Sequence, residues 1–261
     1  MASRDTKATP RFAVVIPMYN EEVGAEDCVR KVCAALARIS PDARLITVED
    51  GGKDNTLAIL KRLATELPQL VLVVHEGNKG YGAGLKTGAA KALDLGFEYV
   101  LFMDSDLTND PADISRFAEK MAEGHDVIKA TRYSHGGRMD GVPFKRQMIS
   151  RVGNMVARAL FRLPVTDCTN GFRAVRTSIL SRMDLRENNF SIIMEELYHC
   201  KQLTHSFANV PVVLTDRAAH LRGTSFRYKP SIFYDYLKYP VLSLIPSGLR
   251  RTRYAPTAQG D

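Results

Sequence analysis

Two carboxylates one residue apart, Asp104 and Asp106, follow the apolar run Leu101-Phe102-Met103. A strand would point both to the same side, because alternate residues share a face. There they repel unless a cation or a proton intervenes. Oxygen donors of this kind suit a hard divalent ion, Mg2+ or Mn2+, whose shell a substrate phosphate can complete. Taken alone, Asp104-Ser105-Asp106 reads as readily as a solvated turn ahead of a helix at Pro111. Its position at the end of a buried strand favours the metal.

Asp50 also ends an apolar run, Leu45-Ile46-Thr47-Val48, and precedes Gly51 and Gly52. A carboxylate there can accept a hydrogen bond from a nucleobase N–H, or it can be an ordinary turn aspartate. Asn78-Lys79-Gly80-Tyr81-Gly82-Ala83-Gly84 is a glycine-rich entry to a helix, where exposed N–H groups suit an anion. It is neither a Walker loop nor a G-x-G-x-x-G fingerprint, since Gly80, Gly82 and Gly84 alternate. Hydride-transfer chemistry is thereby disfavoured. Glu195 and Glu196 lie on an otherwise apolar helical stretch (Ile192, Ile193, Met194, Leu197). They are either a general base for a hydroxyl acceptor or half of an ion pair with a basic helix such as 144–162. The six histidines show no ligand spacing and receive no role, with His220 and Arg222 singled out only as neighbours of a candidate phosphate loop.

The elements that would position these groups alternate along the chain. Short apolar runs at 12–16, 44–48, 70–75, 99–103 and 127–130 read as strands buried on both faces. Helical spacing fills 22–39, 55–67, 82–95 and 111–123. Such alternation implies a mostly parallel sheet flanked by helices, with ligands bound beyond the carboxyl ends of the strands. The turns at 17–21, 49–52, 76–82 and 104–108 would then line one edge. Beyond Arg132 the pattern changes to a basic helix at 144–162, a turn-rich passage at 167–174, a helix at 190–203 and a strand at 209–214.

The 261 residues suffice for one large domain, and a net charge of +7 favours anionic partners. Nucleic acid is disfavoured, because aromatic and basic residues are not interleaved and no binding module stands out. The four cysteines form no CxxC pair and read as reduced thiols of a cytoplasmic protein. No signal peptide and no run of about 18 apolar residues is evident. The expected layout is a disordered stretch at 1–10, one domain at 11–228, an amphipathic segment at 229–249 and a disordered tail at 250–261. Segment 229–249, flanked by Arg250, Arg251 and Arg253, would lie at an anionic membrane interface, pack on its own domain, or join a second subunit.

Taken in order, Pro17-Met18-Tyr19-Asn20-Glu21-Glu22, Val48 through Asp54, Asn78 through Gly82 and Met103 through Leu107 resemble the motifs of family-two inverting glycosyltransferases with the GT-A fold. The segments Thr131-Arg132-Tyr133, Arg146 to Ser150, Asp167 to Arg173, Ile192 to Glu195 and Val210 to Arg217 are similar to polyprenyl-phosphate hexosyltransferases of the dolichol-phosphate mannose synthase type. The resemblance covers roughly residues 12–226. It implies metal-dependent transfer of a hexose from a GDP- or UDP-sugar to a polyprenyl phosphate at the cytosolic membrane face. The alternative is a soluble hydroxyl acceptor with Glu195 or Glu196 as base.

By the same resemblance Pro17, Tyr19, Glu21 and Asp50 would hold the nucleoside, with Lys79 in the glycine-rich substrate loop. Asp104 and Asp106 would bind the metal, with Thr108 in the place of a third, glutamine ligand. Arg132, Arg146, Ser150 and Arg217 would meet donor or acceptor phosphates, as an arginine fork does well. The sequence departs from the family pattern at Glu49, where Asp is usual. It departs again at Gly223-Thr224-Ser225-Phe226, where a lysine is missing that Lys229 would have to replace.

Overall fold

Along β1 (Phe12–Met18) the side chains alternate between two apolar cores, Phe12, Val14, Ile16 and Met18 facing one and Ala13 and Val15 the other. That is the signature of a strand buried on both faces, and it dictates helices above and below the sheet. The first core is closed by α1 (Ala25–Ile39) through Cys28, Val29, Val32 and Leu36, with α2 (Thr56–Glu66) and α4 (Ile114–Ala122) beside it. The second is closed by the small-residue helix α3 (Tyr81–Asp94) through Leu85, Ala89 and Ala92. The computed structural model describes residues 9–216 and 230–245.

The remaining strands are β2 (Arg44–Glu49), β3 (Leu70–Val74), β4 (Tyr99–Phe102), β5 (Val127–Thr131), β7 (Arg173–Arg176) and β8 (Phe207–Pro211), in the order β3-β2-β1-β4-β7-β5-β8. Six run in one direction, and β7 runs against both of its neighbours, β4 and β5. A second, two-stranded sheet pairs β6 (Arg138–Asp140) with β9 (Val213–Thr215). The stretch read as one strand at 209–214 is therefore two. It breaks at Val212, whose N–H bonds to Thr131 O while its own carbonyl takes Arg138 N. The passage read as turn at 167–174 ends in β7, an element too short and too charged to announce itself by alternation.

The second half adds α5 (Phe144–Phe161), the short α6 (Thr177–Leu180), α7 (Ile192–Leu203) and α8 (Pro230–Leu242). Helix α8 packs against α5 and α7 and buries Tyr239, and Ser243 in the turn that follows it is buried too. The expectations for residues 1–8 and 246–261 lie outside the described residues, as do those for Arg217, His220, Arg222, the 223–226 element and Lys229. All four cysteines are buried free thiols. Among the described residues, no helix is long and apolar enough to cross a membrane.

Candidate functional site

Strand register brings the polar turns together. Met18 pairs with Glu49 and Glu49 with Val74, while Met103 N extends the ladder to Val15 O at 3.1 Å. The carboxyl ends of β1 to β4 thus converge on one edge, where apolar strands give way to Tyr19, Asp50, His75 and Asp104.

Asp50 is the hub of the first half of this edge. Its Oδ1 accepts from Lys79 N (2.9 Å) and meets His75 Nδ1 (2.7 Å), and Oδ2 accepts from Gly80 N (2.9 Å). A buried carboxylate so surrounded fixes the 75–80 loop, a role that the expected nucleobase contact did not include. His75 Nε2 meets Thr87 Oγ1 at 2.9 Å, so a buried chain runs Thr87–His75–Asp50. No role for His75 was legible, although its place at the end of a strand was the available signal. Glu49 accepts from Gly51 N and Gly52 N, at 3.2 and 2.6 Å, which closes the neighbouring turn. Gly51 has φ +67°, and a Cβ there would stand 2.4 Å from the Gly77 backbone. Only glycine fits.

The Asp104–Asp106 turn forms the second half. Tyr81 Oη donates to Asp104 Oδ1 at 2.8 Å, and its ring stacks on Phe190 with centroids 4.5 Å apart. Burial, and then the neighbouring Asp104 charge, hold the Tyr81 phenol well above its ordinary pKa, so it remains a donor. Thr108 donates its N–H and hydroxyl to Asp106 Oδ1, at 3.2 and 2.9 Å, around Leu107 with φ +55°. Thr108 therefore orients Asp106. A Cβ at Gly171 would stand 3.1 Å from Asp104 Oδ2, so glycine leaves room at that carboxylate. Among the described residues no three His, Cys, Asp or Glu side chains converge as a metal cage. Two partly exposed carboxylates with that room fit a Mg2+ or Mn2+ ion that takes its other ligands from a diphosphate and water.

Beneath this edge lie two buried cations and a partly buried one, each already engaged. Arg173 forks onto Glu196 at 2.6 and 2.8 Å and donates to Gly171 O at 2.8 Å. Arg132 forks onto Asp167 at 2.7 and 2.9 Å and reaches Thr169 Oγ1 at 2.6 Å. Lys129 Nζ donates to Asn170 O at 2.6 Å, and burial, with Arg173 nearby, lowers its pKa to about 8. These contacts bear on two expectations. The Arg132 guanidinium is tied to the 166–171 turn through Asp167 and Thr169. The partner of Glu196 is Arg173 on β7, not the basic helix α5.

Glu195 is likewise built in, accepting from Arg186 N, Glu187 N and Tyr239 Oη at 2.9 to 3.0 Å. A fully buried carboxylate that accepts from three donors anchors segment 186–187. That segment covers the glycine-rich loop, since Gly82 N donates to Asn188 O at 2.7 Å.

The other expected residues are spread around the cleft. Pro17 and Tyr19 are half-buried at the end of β1, and Glu21 is buried with its N–H on Thr56 Oγ1 at 2.8 Å. Asn20, which sequence reasoning passed over, has φ +53° and accepts from Lys53 N at 2.7 Å. Lys79 is exposed. On α5, Ser150 Oγ meets Tyr133 Oη at 2.8 Å, and Arg146 lies 3.8 Å from Asp216.

A parallel sheet whose carboxyl edge joins a glycine-built loop to an Asp-x-Asp turn defines a GT-A glycosyltransferase. Residues 13–183 match the model of glycosyl transferase family 2, and the chain belongs to that family. It is a nucleotide-sugar-dependent glycosyltransferase. The chain is 29% identical over 228 residues to polyprenol monophosphomannose synthase of Mycolicibacterium smegmatis, covering 85% of this chain and 84% of that one. To dolichol-phosphate mannosyltransferase of Pyrococcus furiosus it is 28% identical over 231 residues, 88% of this chain and 62% of that one. Among solved structures, glucosyl-3-phosphoglycerate synthase of Mycobacterium tuberculosis, in complex with Mn2+, UDP and phosphoglyceric acid, superposes with a TM-score of 0.67 at 18% identity. That match covers 91% of this chain and 80% of that one, and it supports the fold.

Proposed function

We propose that the chain transfers a hexose, with inversion, from a nucleoside-diphosphate sugar to a polyprenyl phosphate at the cytosolic face of a membrane. The observation that carries this reading is the state of the two glutamates on α7. Glu195 is filled by two backbone N–H groups and Tyr239, and Glu196 is closed on Arg173. A hydroxyl acceptor would need a base within hydrogen-bond reach, which neither supplies. A phosphate monoester is already anionic at neutral pH and needs none. Relatives named for mannosyl transfer to polyprenol, dolichyl or undecaprenyl phosphate support the same acceptor and favour a mannosyl donor.

In this reading the loop fixed by Asp50 presents Lys79 beside Pro17, Tyr19 and Glu21 at the nucleotide. Asp104 and Asp106 would hold Mg2+ or Mn2+, which when bound supplies electrostatic stabilisation for charge developing on the leaving diphosphate. Tyr81, donating to Asp104, would help to orient that carboxylate for the metal. Arg146 and Ser150, with Arg217, would receive the acceptor phosphate.

A donor panel of GDP-mannose, UDP-glucose and UDP-N-acetylglucosamine, with and without polyprenyl phosphate, tests this. Acceptor-dependent diphosphate-nucleotide release is expected, lost on chelation and in Asp106→Ala while the protein stays folded. Donor cleavage that ignores polyprenyl phosphate would overturn the acceptor. Full activity of Asp106→Ala in chelator would overturn the metal.

A further inference from the structure

A buried imidazole needs partners on both ring nitrogens. His75 is 6% exposed and has them, with Nδ1 2.7 Å from Asp50 Oδ1 and Nε2 2.9 Å from Thr87 Oγ1. Its backbone is fixed as well, because His75 N donates to Glu49 O at 2.9 Å and prolongs the β2–β3 ladder by one step. A carboxylate oxygen only accepts, which assigns the ring hydrogen to Nδ1. In the neutral ring Nε2 is then the acceptor, and the Thr87 hydroxyl donates to it.

These bonds close a circuit. Asp50 follows β2, His75 follows β3 and Thr87 lies on α3, while Asp50 returns to the intervening loop through Lys79 N and Gly80 N, both at 2.9 Å. Glu76, Gly77, Asn78 and Lys79 are exposed, so the loop is held inwards by its backbone. Of the three donors to Asp50, two belong to the loop that the carboxylate has to hold. Only the His75 ring is fixed independently, by the sheet ladder on one side and Thr87 on the other. It therefore sets the rotation of the carboxylate, and the loop follows.

A carboxylate has about four acceptor sites. Oδ1 takes His75 and Lys79, and Oδ2 takes Gly80, which leaves one site on Oδ2. We infer that His75 is a positioning residue for the nucleotide, acting through Asp50: it orients the Lys79–Gly80 backbone and the remaining acceptor site on Oδ2. This deepens the reading of the edge as a nucleotide site and rests on it, while the hold on the loop is measured without nucleotide.

Asparagine and glutamine separate the two ring nitrogens, because an Asn amide nitrogen stands near the place of Nδ1 and a Gln amide nitrogen near that of Nε2. Full-length wild type, His75→Asn, His75→Gln and Thr87→Val are titrated calorimetrically with GDP and with UDP in Mg2+. Exchange of the 76–84 amides is followed by mass spectrometry without nucleotide. His75→Asn should stay within about threefold of wild-type affinity, with the loop as well protected, since the bond to Asp50 is kept. His75→Gln should bind about tenfold or more weakly, and its loop amides should exchange faster, since it loses a hydrogen bond to a carboxylate. Thr87→Val should act in the same direction by about twofold to tenfold, the worth of one neutral hydrogen bond. In transfer assays the loss should fall on KM for the donor, with kcat nearly unchanged.

A ring that merely fills space predicts another pattern: Tm falls at least as far for Asn as for Gln, while nucleotide affinity well below every midpoint is the same in all four proteins. That pattern, or loop exchange in His75→Gln equal to wild type, would overturn the inference. If His75→Gln does not fold, Thr87→Val carries the same comparison. If the loop amides respond as expected but wild type binds neither GDP nor UDP, the hold on the loop stands and the nucleotide reading of this edge falls.

Discussion

Replacing Glu196 by Gln separates the two roles its position allows. Its carboxylate takes Arg173 Nε at 2.6 Å and Nη2 at 2.8 Å, with side chains 1% and 0% exposed. Glutamine preserves the shape and removes the charge, leaving the guanidinium buried without its forked partner. Breaking such a pair from one side costs about 3–5 kcal/mol. A domain of this size shifts its midpoint by about 2–4 °C per kcal/mol, so Tm should fall by about 6–20 °C.

The paired replacement Arg173→Met/Glu196→Leu removes both charges at similar volume. It should recover much of the loss, because a well-packed apolar pair is often as stable as a buried ion pair. Some deficit should persist, since the guanidinium also stacks on Phe102 at 4.4 Å. Thermal unfolding by circular dichroism reads the stability, and glycosyl transfer at a temperature well below every midpoint reads the chemistry. An unchanged Tm with turnover lost by orders of magnitude would refute the reasoning and return Glu196 to the role of base. A double variant less stable than Glu196→Gln would also count against it.

Three further outcomes follow from the same geometry. Gly51→Ala meets both a positive φ and the Gly77 backbone at 2.4 Å, so nucleotide affinity and stability should fall together, the latter by about 1–3 kcal/mol in urea titration. Tyr81→Phe removes one hydrogen bond to a charged group, worth about 1.5–3 kcal/mol, and should lower kcat/KM by about tenfold to a hundredfold while secondary structure is unchanged. Asp167 is pushed up by burial, but the Arg132 charge and hydrogen bonds outweigh this and hold its pKa below the ordinary value of about 3.9. A depressed carboxylate contributes stability that is complete above about pH 4 and lost as pH falls through the folded value. Asp167→Asn should therefore flatten the acid limb of stability against pH, and an unchanged slope would argue against the pair.

The first half of the fold was legible because its signals are local. Residues 12–16, 44–48 and 99–103 are apolar runs long enough to require burial on both faces, and each lies within a residue or two of a strand. The same runs marked the candidate site edge, since Asp50 and Asp104 lie just beyond them. What escaped was non-local. Nothing in Arg173-Ala174-Val175-Arg176 indicates that it inserts antiparallel between β4 and β5. The partner of Arg132 stands 35 residues away and that of Glu196 stands 23 away. A family motif names such charges as functional without saying which are consumed by one another. Asp50 shows a milder form of the problem, because its acceptor character was evident but not the loop it would hold.

The lone antiparallel strand has a consequence for how the chain is assembled. By residue 131 a nascent chain has made β1 to β5, yet β4 and β5 have no hydrogen-bonded contact with one another in the finished sheet. Each presents a bare, apolar edge until residues 173–176 emerge and fill the gap between them. Unpaired edges of this sort invite pairing with other chains. The sheet is therefore closed like a zip from its middle. Chains interrupted between residues 131 and 173 should be more prone to aggregation than chains interrupted after 176, because β7 is the strand that joins the two halves.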